Sequence, residues 1–299
     1  MSVVSLASRL VPPVLAAQGR KRRYANRQAT LDQVLEDRLR PKQYGPPRRL
    51  PRDVRISVRD DHGWPVYDVV GKGGRPKGHA LYLHGGAWIN EITSHHWRLI
   101  ALLASTAGIR IVVPIYPLAP HGTAATVVPR AAGLLRGLVA EHGAGQVSVI
   151  GDSAGGQIAL SAGLLLREEG IALRRTVLIS PAVDLRLDNP EIDAVEPRDP
   201  WLARPGIRGA IDLWRADLPL EDPRVSPLLA DLAGLGPLAV FSGTVDITYP
   251  DVRLLVSRAR AAGVEVDFHE AQGMVHVYPL LPIPEGRAAR RAMAALLRS

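Results

Sequence analysis

The side chains of this chain that could do chemistry are few, and they come in a telling order. Gly151-Asp152-Ser153-Ala154-Gly155-Gly156 sets a serine between glycines directly after the apolar, β-branched run Val147-Ser148-Val149-Ile150. A serine on such a strand-to-helix turn is held in a strained backbone conformation that lifts its hydroxyl clear of the sheet, as a nucleophile requires. The free N–H groups of the following helix point at the same place, where negative charge develops when a carbonyl is attacked. Chance supplies such a match roughly 0.1 times per chain of this composition, so context decides. That context is favourable: Ile158, Leu160, Leu164 and Leu165 recur at helical spacing, and Glu168-Glu169-Gly170 reads as a stop.

Three more groups stand just past other predicted strands. Gly85-Gly86 follows the run 80–84, and two bare backbone N–H groups there, joined by that of Ala154, could hold an oxyanion. The plainer reading of the pair is a glycine turn. Asp246 follows the strand read over 238–242, where a carboxylate can orient a histidine. Its rival Asp251 reads as an early-helix acid complementing the helix dipole. His276 lies in Gly273-Met274-Val275-His276, a loop after the strand read over 264–269. Serine, aspartate, histidine is the order a hydrolase elbow uses, although a lone histidine is more often structural. His269 should be turned away by its own strand. His95 and His96 are adjacent on a helix and point apart, so a shared metal is not expected. Asp152 is either a second acid or part of an inward ion pair. Trp201, Leu202 and Trp214 either line an acyl pocket or anchor an insert.

The elements that must position these groups alternate. Residues 54–58 and 65–70 read as a hairpin at a sheet edge; strands over 80–84, 109–115, 147–151, 176–179, 238–242 and 264–269 then alternate with helices. That rhythm means a mostly parallel sheet covered on both faces, with ligands at the carboxyl ends of the strands. Residues 182–226 interrupt it as an insert with one helical piece near 207–216. Two parts follow: a basic arm over 1–53, and a domain over 54–299 that contains the insert.

Composition narrows the class. Cysteine is absent, so no disulfide or thiolate metal site forms, and a cytoplasmic location is expected. Of the 37 Lys and Arg, 14 lie in residues 1–60 against 5 Asp and Glu, so the net charge of +8 is entirely N-terminal. A solvated arm or lid is the favoured reading, with weak contact to an anionic membrane as its rival and nucleic acid not expected. The arm's helix, read over 30–40, would dock through Leu31, Val34, Leu35 and Leu39. The opening 18 residues are interrupted by Arg9 and broken by Pro12-Pro13, and read as neither a signal peptide nor a membrane span.

Together, His84-Gly85-Gly86-Ala87-Trp88, Tyr116-Pro117-Leu118-Ala119-Pro120, the Ser153 elbow, Asp246 and His276 resemble the α/β-hydrolase esterases and lipases of the hormone-sensitive-lipase type, over roughly residues 54–299. The resemblance implies a catalytic triad of Ser153, Asp246 and His276, and an oxyanion hole from the N–H groups of Gly85, Gly86 and Ala154. It implies a carboxylesterase acting on short- to medium-chain esters without cofactor or metal, under a cap built from the arm and the insert. A homodimer is left open. Ala87 stands where the family often has a third glycine, which restricts the backbone and bears on bulky, branched esters. An arylformamidase-like amide hydrolase, with a similar His-Gly-Gly-x-Trp stretch, is the enzymatic alternative. A noncatalytic binding protein on the same scaffold is the other.

Overall fold

The computed structural model describes residues 4–50 and 53–298. Residues 1–3, at the head of the segment read as neither signal nor span, lie outside the described residues, as do 51 and 52 beside the expected boundary at 53. The arm contains helices α1 (Leu6–Arg9), α2 (Val11–Ala17) and α3 (Arg27–Leu39), with one 3₁₀ turn at Lys21–Tyr24. Then come β1 (Val54–Asp61), β2 (Trp64–Gly71), β3 (His79–Leu83), α4 (Ser94–Ala107), β4 (Arg110–Pro114), α5 (Ala124–His142), β5 (Val147–Asp152), α6 (Ala154–Glu168) and β6 (Arg175–Ile179). The insert carries α7 (Ile192–Val195) and α8 (Arg204–Arg215). The chain finishes with β7 (Leu238–Val245), α9 (Tyr249–Ala261), β8 (Val266–Val275) and α10 (Pro284–Leu296).

The strands form one eight-stranded sheet in the order β1-β2-β4-β3-β5-β6-β7-β8. The expected hairpin β1–β2 sits at its edge and pairs antiparallel, and every pairing from β4 to β8 is parallel. β5, in the centre, is buried along its whole length, which is why its sequence runs apolar without alternation. The edge strand β1 is mostly exposed and carries Arg55, Arg59, Asp60 and Asp61, charges that discourage pairing with another chain. One core packs α5, α6 and α9 on one face of the sheet; a second packs α4 and α10 on the other. Tyr24 of the arm and Ile207 and Trp214 of the insert belong to the first core.

Two expectations are corrected. β8 runs to Val275 instead of ending near 269, because it keeps pairing with β7 beyond a bulge between Gly243 and Val245, so His276 is the first residue past a strand. Pro12 and Pro13 lie in the first turn of α2, where the missing N–H groups cost nothing. The arm's helix does not dock on a Leu31–Leu39 stripe. Leu35 and Leu39 are exposed at 55% and 74%, whereas Val34 packs on the core and Thr30, fully buried, donates to the Gly206 carbonyl at 3.1 Å. The reason lies in α8, whose Gly206 and Gly209 let the arm's backbone approach so closely that a Cβ at Gly206 would overlap Tyr24.

Candidate active site

The elbow takes its shape from backbone approach. Ser153 leaves β5 at φ 53°, ψ −120°, a conformation that costs a non-glycine residue about 1–3 kcal/mol. Its own N–H donates to the Ile179 carbonyl at 2.8 Å, and its carbonyl accepts from Gln157 and Ala182, which fixes the turn from three sides. A Cβ on Gly155 would run into the carbonyl oxygen of Leu83, and one on Gly85 into the carboxylate of Asp152. The glycines are therefore demanded by the closeness of β3, β5 and α6.

Register brings the other two groups alongside. Val245 of β7 pairs with Val275 of β8, so the next residues, Asp246 and His276, leave the sheet side by side. His276 Nδ1–H donates to Asp246 Oδ2 at 2.9 Å, and the Ser153 hydroxyl donates to His276 Nε2 at 2.9 Å. Asp246 is wholly buried and His276 nearly so. The remaining Asp246 oxygen accepts from the N–H of Thr248 at 2.9 Å, which holds the carboxylate in its plane. Burial works to lower the His276 pKa; the Asp246 carboxylate beside it overrides this, with Asp199 and Asp152 adding to it, and the pKa ends above its ordinary 6.5. This is an environment that favours imidazolium at the moment a proton arrives from serine.

Opposite the serine, the N–H groups of Gly85 and Gly86 have no acceptor among the described residues, and Ala154 begins α6, where its N–H has no intrahelical partner. The Gly86 carbonyl is taken by Ile89 N–H, Asn90 N–H and the Asn90 amide, which turns the Gly86 unit outward. Ala87 and Trp88 follow at φ 52° and 60°, so the residue standing where a glycine is common adopts a glycine-like backbone, at about 1–2 kcal/mol. His84 supports the loop from behind: its Nδ1–H donates to the Gly85 carbonyl at 2.8 Å and its ring stacks on Tyr116. Burial, with His96 nearby, pushes the His84 pKa down to about 4, so it is neutral.

The residues left with two readings separate cleanly. Asp152 turns inward, accepting from Tyr82 at 2.7 Å and from His96 Nε2–H at 3.1 Å. Burial works to raise its pKa, but His96, with Tyr82, holds it below the ordinary carboxylate range. His96 Nδ1 takes the Thr93 N–H at the start of α4, so this histidine is a structural bridge. Among the described residues no cluster of three or more His, Asp or Glu could hold a metal. His269 stacks on Phe241 and pairs with Asp267, away from the serine. Asp251 sits in the first turn of α9, accepts from Asn189 and is pushed up to about 6 by burial. Trp201 and Leu202 line the cavity, whereas Trp214 is fully buried and serves as an anchor.

Two residues here escaped sequence reasoning. Gln157, buried in α6, accepts from the indole N–H groups of both Trp88 and Trp214 at 3.0 Å and donates to Ser161 and to the Arg224 carbonyl, tying the Gly85 loop to the insert. A polar residue within an otherwise apolar helix was the available signal. Asp199 accepts from the N–H groups of Trp201 and Leu202 with one oxygen and from Ile247 with the other, locking the insert to the Asp246 loop. Burial and the neighbouring Asp246 push its carboxyl up from the ordinary range. Nothing in its Asp-Pro-Arg-rich surroundings announced it.

Ser153 and His276 open into a cavity of about 670 Å³ at the carboxyl ends of the strands. Leu15 and Tyr24 of the arm and Leu187, Leu202 and Ile207 of the insert form part of its wall. The profile of the alpha/beta hydrolase fold family matches residues 80–280. The chain is 35% identical over 205 residues to a triacylglycerol lipase of Mycobacterium tuberculosis, covering 68% of this chain but only 42% of that protein. It is 32% identical over 270 residues to an acetyl-hydrolase of Streptomyces hygroscopicus, covering 85% of this chain and 89% of the relative. Among solved structures, an esterase from the bacterial hormone-sensitive lipase family superposes with a TM-score of 0.83 at 26% identity, covering 99% of both chains. The chain thus belongs to the alpha/beta hydrolase fold family, in the company of esterases of the bacterial hormone-sensitive-lipase type.

Proposed function

We propose that this protein hydrolyses carboxylic esters through a covalent acyl-serine intermediate. The observation that carries the reading is the unbroken hydrogen-bonded chain from Ser153 through His276 to the buried Asp246. Ser153 attacks the ester carbonyl as His276 Nε2 takes its proton, and Asp246 holds His276 in the tautomer with its proton on Nδ1. The N–H groups of Gly85, Gly86 and Ala154 hold the oxyanion. His276 then protonates the leaving alcohol, and water repeats the sequence on the acyl-enzyme. The mainly apolar cavity of about 670 Å³ supports acyl groups of short to medium length. The arm and the insert act as a cap that selects the substrate, a reading supported by their share of the cavity wall.

Ser153→Ala is expected to lower kcat for short p-nitrophenyl esters by roughly 10⁴-fold or more while leaving the melting temperature near that of the parent. Equal rates in variant and parent overturn the proposal, and a parent that prefers an aryl formamide to its ester analogue overturns the ester assignment. A second reading has its own observation: Leu6, Leu10 and Val14 stand exposed at 78%, 63% and 50% on an arm rich in arginine. This favours contact with anionic membranes. Flotation with anionic vesicles that weakens with salt is expected, and flotation indifferent to both salt and lipid charge refutes it. Among the described residues no helix is long and apolar enough to cross a membrane.

A further inference from the structure

Ester hydrolysis as derived above leaves two cations of the cavity without a task. Arg20 and Arg23, both on the arm, line its wall, and neither has a carboxylate in ion-pairing reach among the described residues. Arginines of the insert behave differently. Arg186 grips Asp184, Arg204 grips Glu196 and Arg224 grips Asp222, each at 2.6 Å.

Arg20 is nevertheless held in place. Its Nε donates to Gln18 at 3.3 Å, and its guanidinium stands 5.6 Å over the ring of Trp201. The next residue, Lys21, donates to the carbonyls of Glu196 at 2.5 Å and Asp199 at 2.8 Å, pinning this turn of the arm to the loop that carries Trp201. Trp201 in turn meets the His276 ring edge-on at 6.0 Å. An unpaired cation therefore stands one aromatic ring away from the group that would protonate the leaving alcohol. The carboxylates in the same wall are otherwise engaged: Asp152 with His96 and Tyr82, Asp184 with Arg186, Asp251 with Asn189. Glu91 is pushed up to about 7 by burial and by Asp37, which blunts its charge near neutrality.

We propose that Arg20, assisted by Arg23, binds a carboxylate on the alcohol half of the substrate, so that the preferred class is esters of hydroxy acids. The assignment of the half rests on the hydrolase reading, in which the alcohol departs on the His276 side. A guanidinium supplies a charged, planar donor pair suited to a carboxylate and gains from the partial exclusion of water by Trp201 and the arm.

The test compares kcat/KM for 4-acetoxybenzoate with that for uncharged 4-acetoxyacetophenone in the parent, Arg20→Gln and Arg20→Lys. The charged-to-uncharged ratio is expected to fall about tenfold in Arg20→Gln, to be partly kept in Arg20→Lys, and to fall with added salt in the parent. A ratio that Arg20→Gln leaves unchanged overturns the proposal, including the case where both rates drop together. Calorimetric binding of 4-hydroxybenzoate supplies a readout free of turnover. If the parent cleaves neither probe, the hydrolase reading fails; salt-sensitive binding that Arg20→Gln weakens then still supports the anion site, and absence of such binding overturns it.

Discussion

The elbow around Ser153 and the cover formed by the arm and insert are both needed to enclose the cavity, yet they are held by different means. At the elbow, backbone meets backbone: β5 hands over to α6 within the reach of a hydrogen bond, and Gly155 lies so near the Leu83 carbonyl that no side chain fits. At the cover one backbone contact is as close, Tyr24 on Gly206, but the other ties are side chains that reach across to backbone and to acids. Lys21 holds two carbonyls of the loop before Trp201, Thr30 holds Gly206, Gln33 donates to Asn90 at 2.6 Å, and Arg27 pairs with Asp212. The contrast separates rigidity from choice. Backbone contacts hold the elbow in one geometry, whereas side-chain ties can be exchanged singly, and under the proposed function it is there that the choice of substrate would lie.

The sharpest way to break the comparison is Gly155→Ala, which forces a methyl group into the Leu83 carbonyl at the centre of the sheet. A loss above about 4 kcal/mol, seen as insoluble protein or a collapsed thermal transition, is expected; a near-parental melting temperature would show that the elbow yields as easily as the cover. Asp199→Asn probes the seam between the regions. The Asp199 carboxylate helps to raise the His276 pKa, so removing its charge lowers that pKa. Because the base must be unprotonated, kcat/KM rises with pH through the His276 pKa, and the acid limb of the variant's profile should move to lower pH. An unmoved limb would mean that Asp199 only tethers the insert. The smallest effect is expected at Arg27→Ala, whose side chain is 63% exposed: a stability change within about 0.5 kcal/mol by denaturant titration. A larger change would place this tie with the elbow contacts.

Much of the elbow was legible because its causes are local. The Val147–Ile150 run, the glycines around Ser153 and the helical spacing after it lie within twenty residues, and each restricts backbone conformation by itself. The alternation of strands with helices and the edge hairpin followed from hydrophobic period, whereas the order β2-β4-β3-β5 within the sheet did not. His276 was read in a loop after 269, and only the bulge and the continued pairing of β7 with β8 place it at a strand end beside Asp246. Leu35 and Leu39 formed a plausible docking stripe by spacing, and lost that role because small residues on α8 admit the arm at Thr30 instead. Asp199 was unreadable because its partners, Trp201, Leu202 and Ile247, are backbone groups that any residue type supplies.

By itself the sequence determined the alternating fold, the serine on its turn, the glycine pair and the chain order of acid and base. These depend on hydrophobic period and on backbone freedom at single residues, both written locally. Only the tertiary structure decided that Ser153 and His276, 123 residues apart, share a hydrogen bond, that Gln157 joins Trp88 to Trp214, and that Arg20 stands unpaired over Trp201. Long side chains meeting across the fold leave no period behind, and whether a charge is paired depends on what the rest of the chain brings to it.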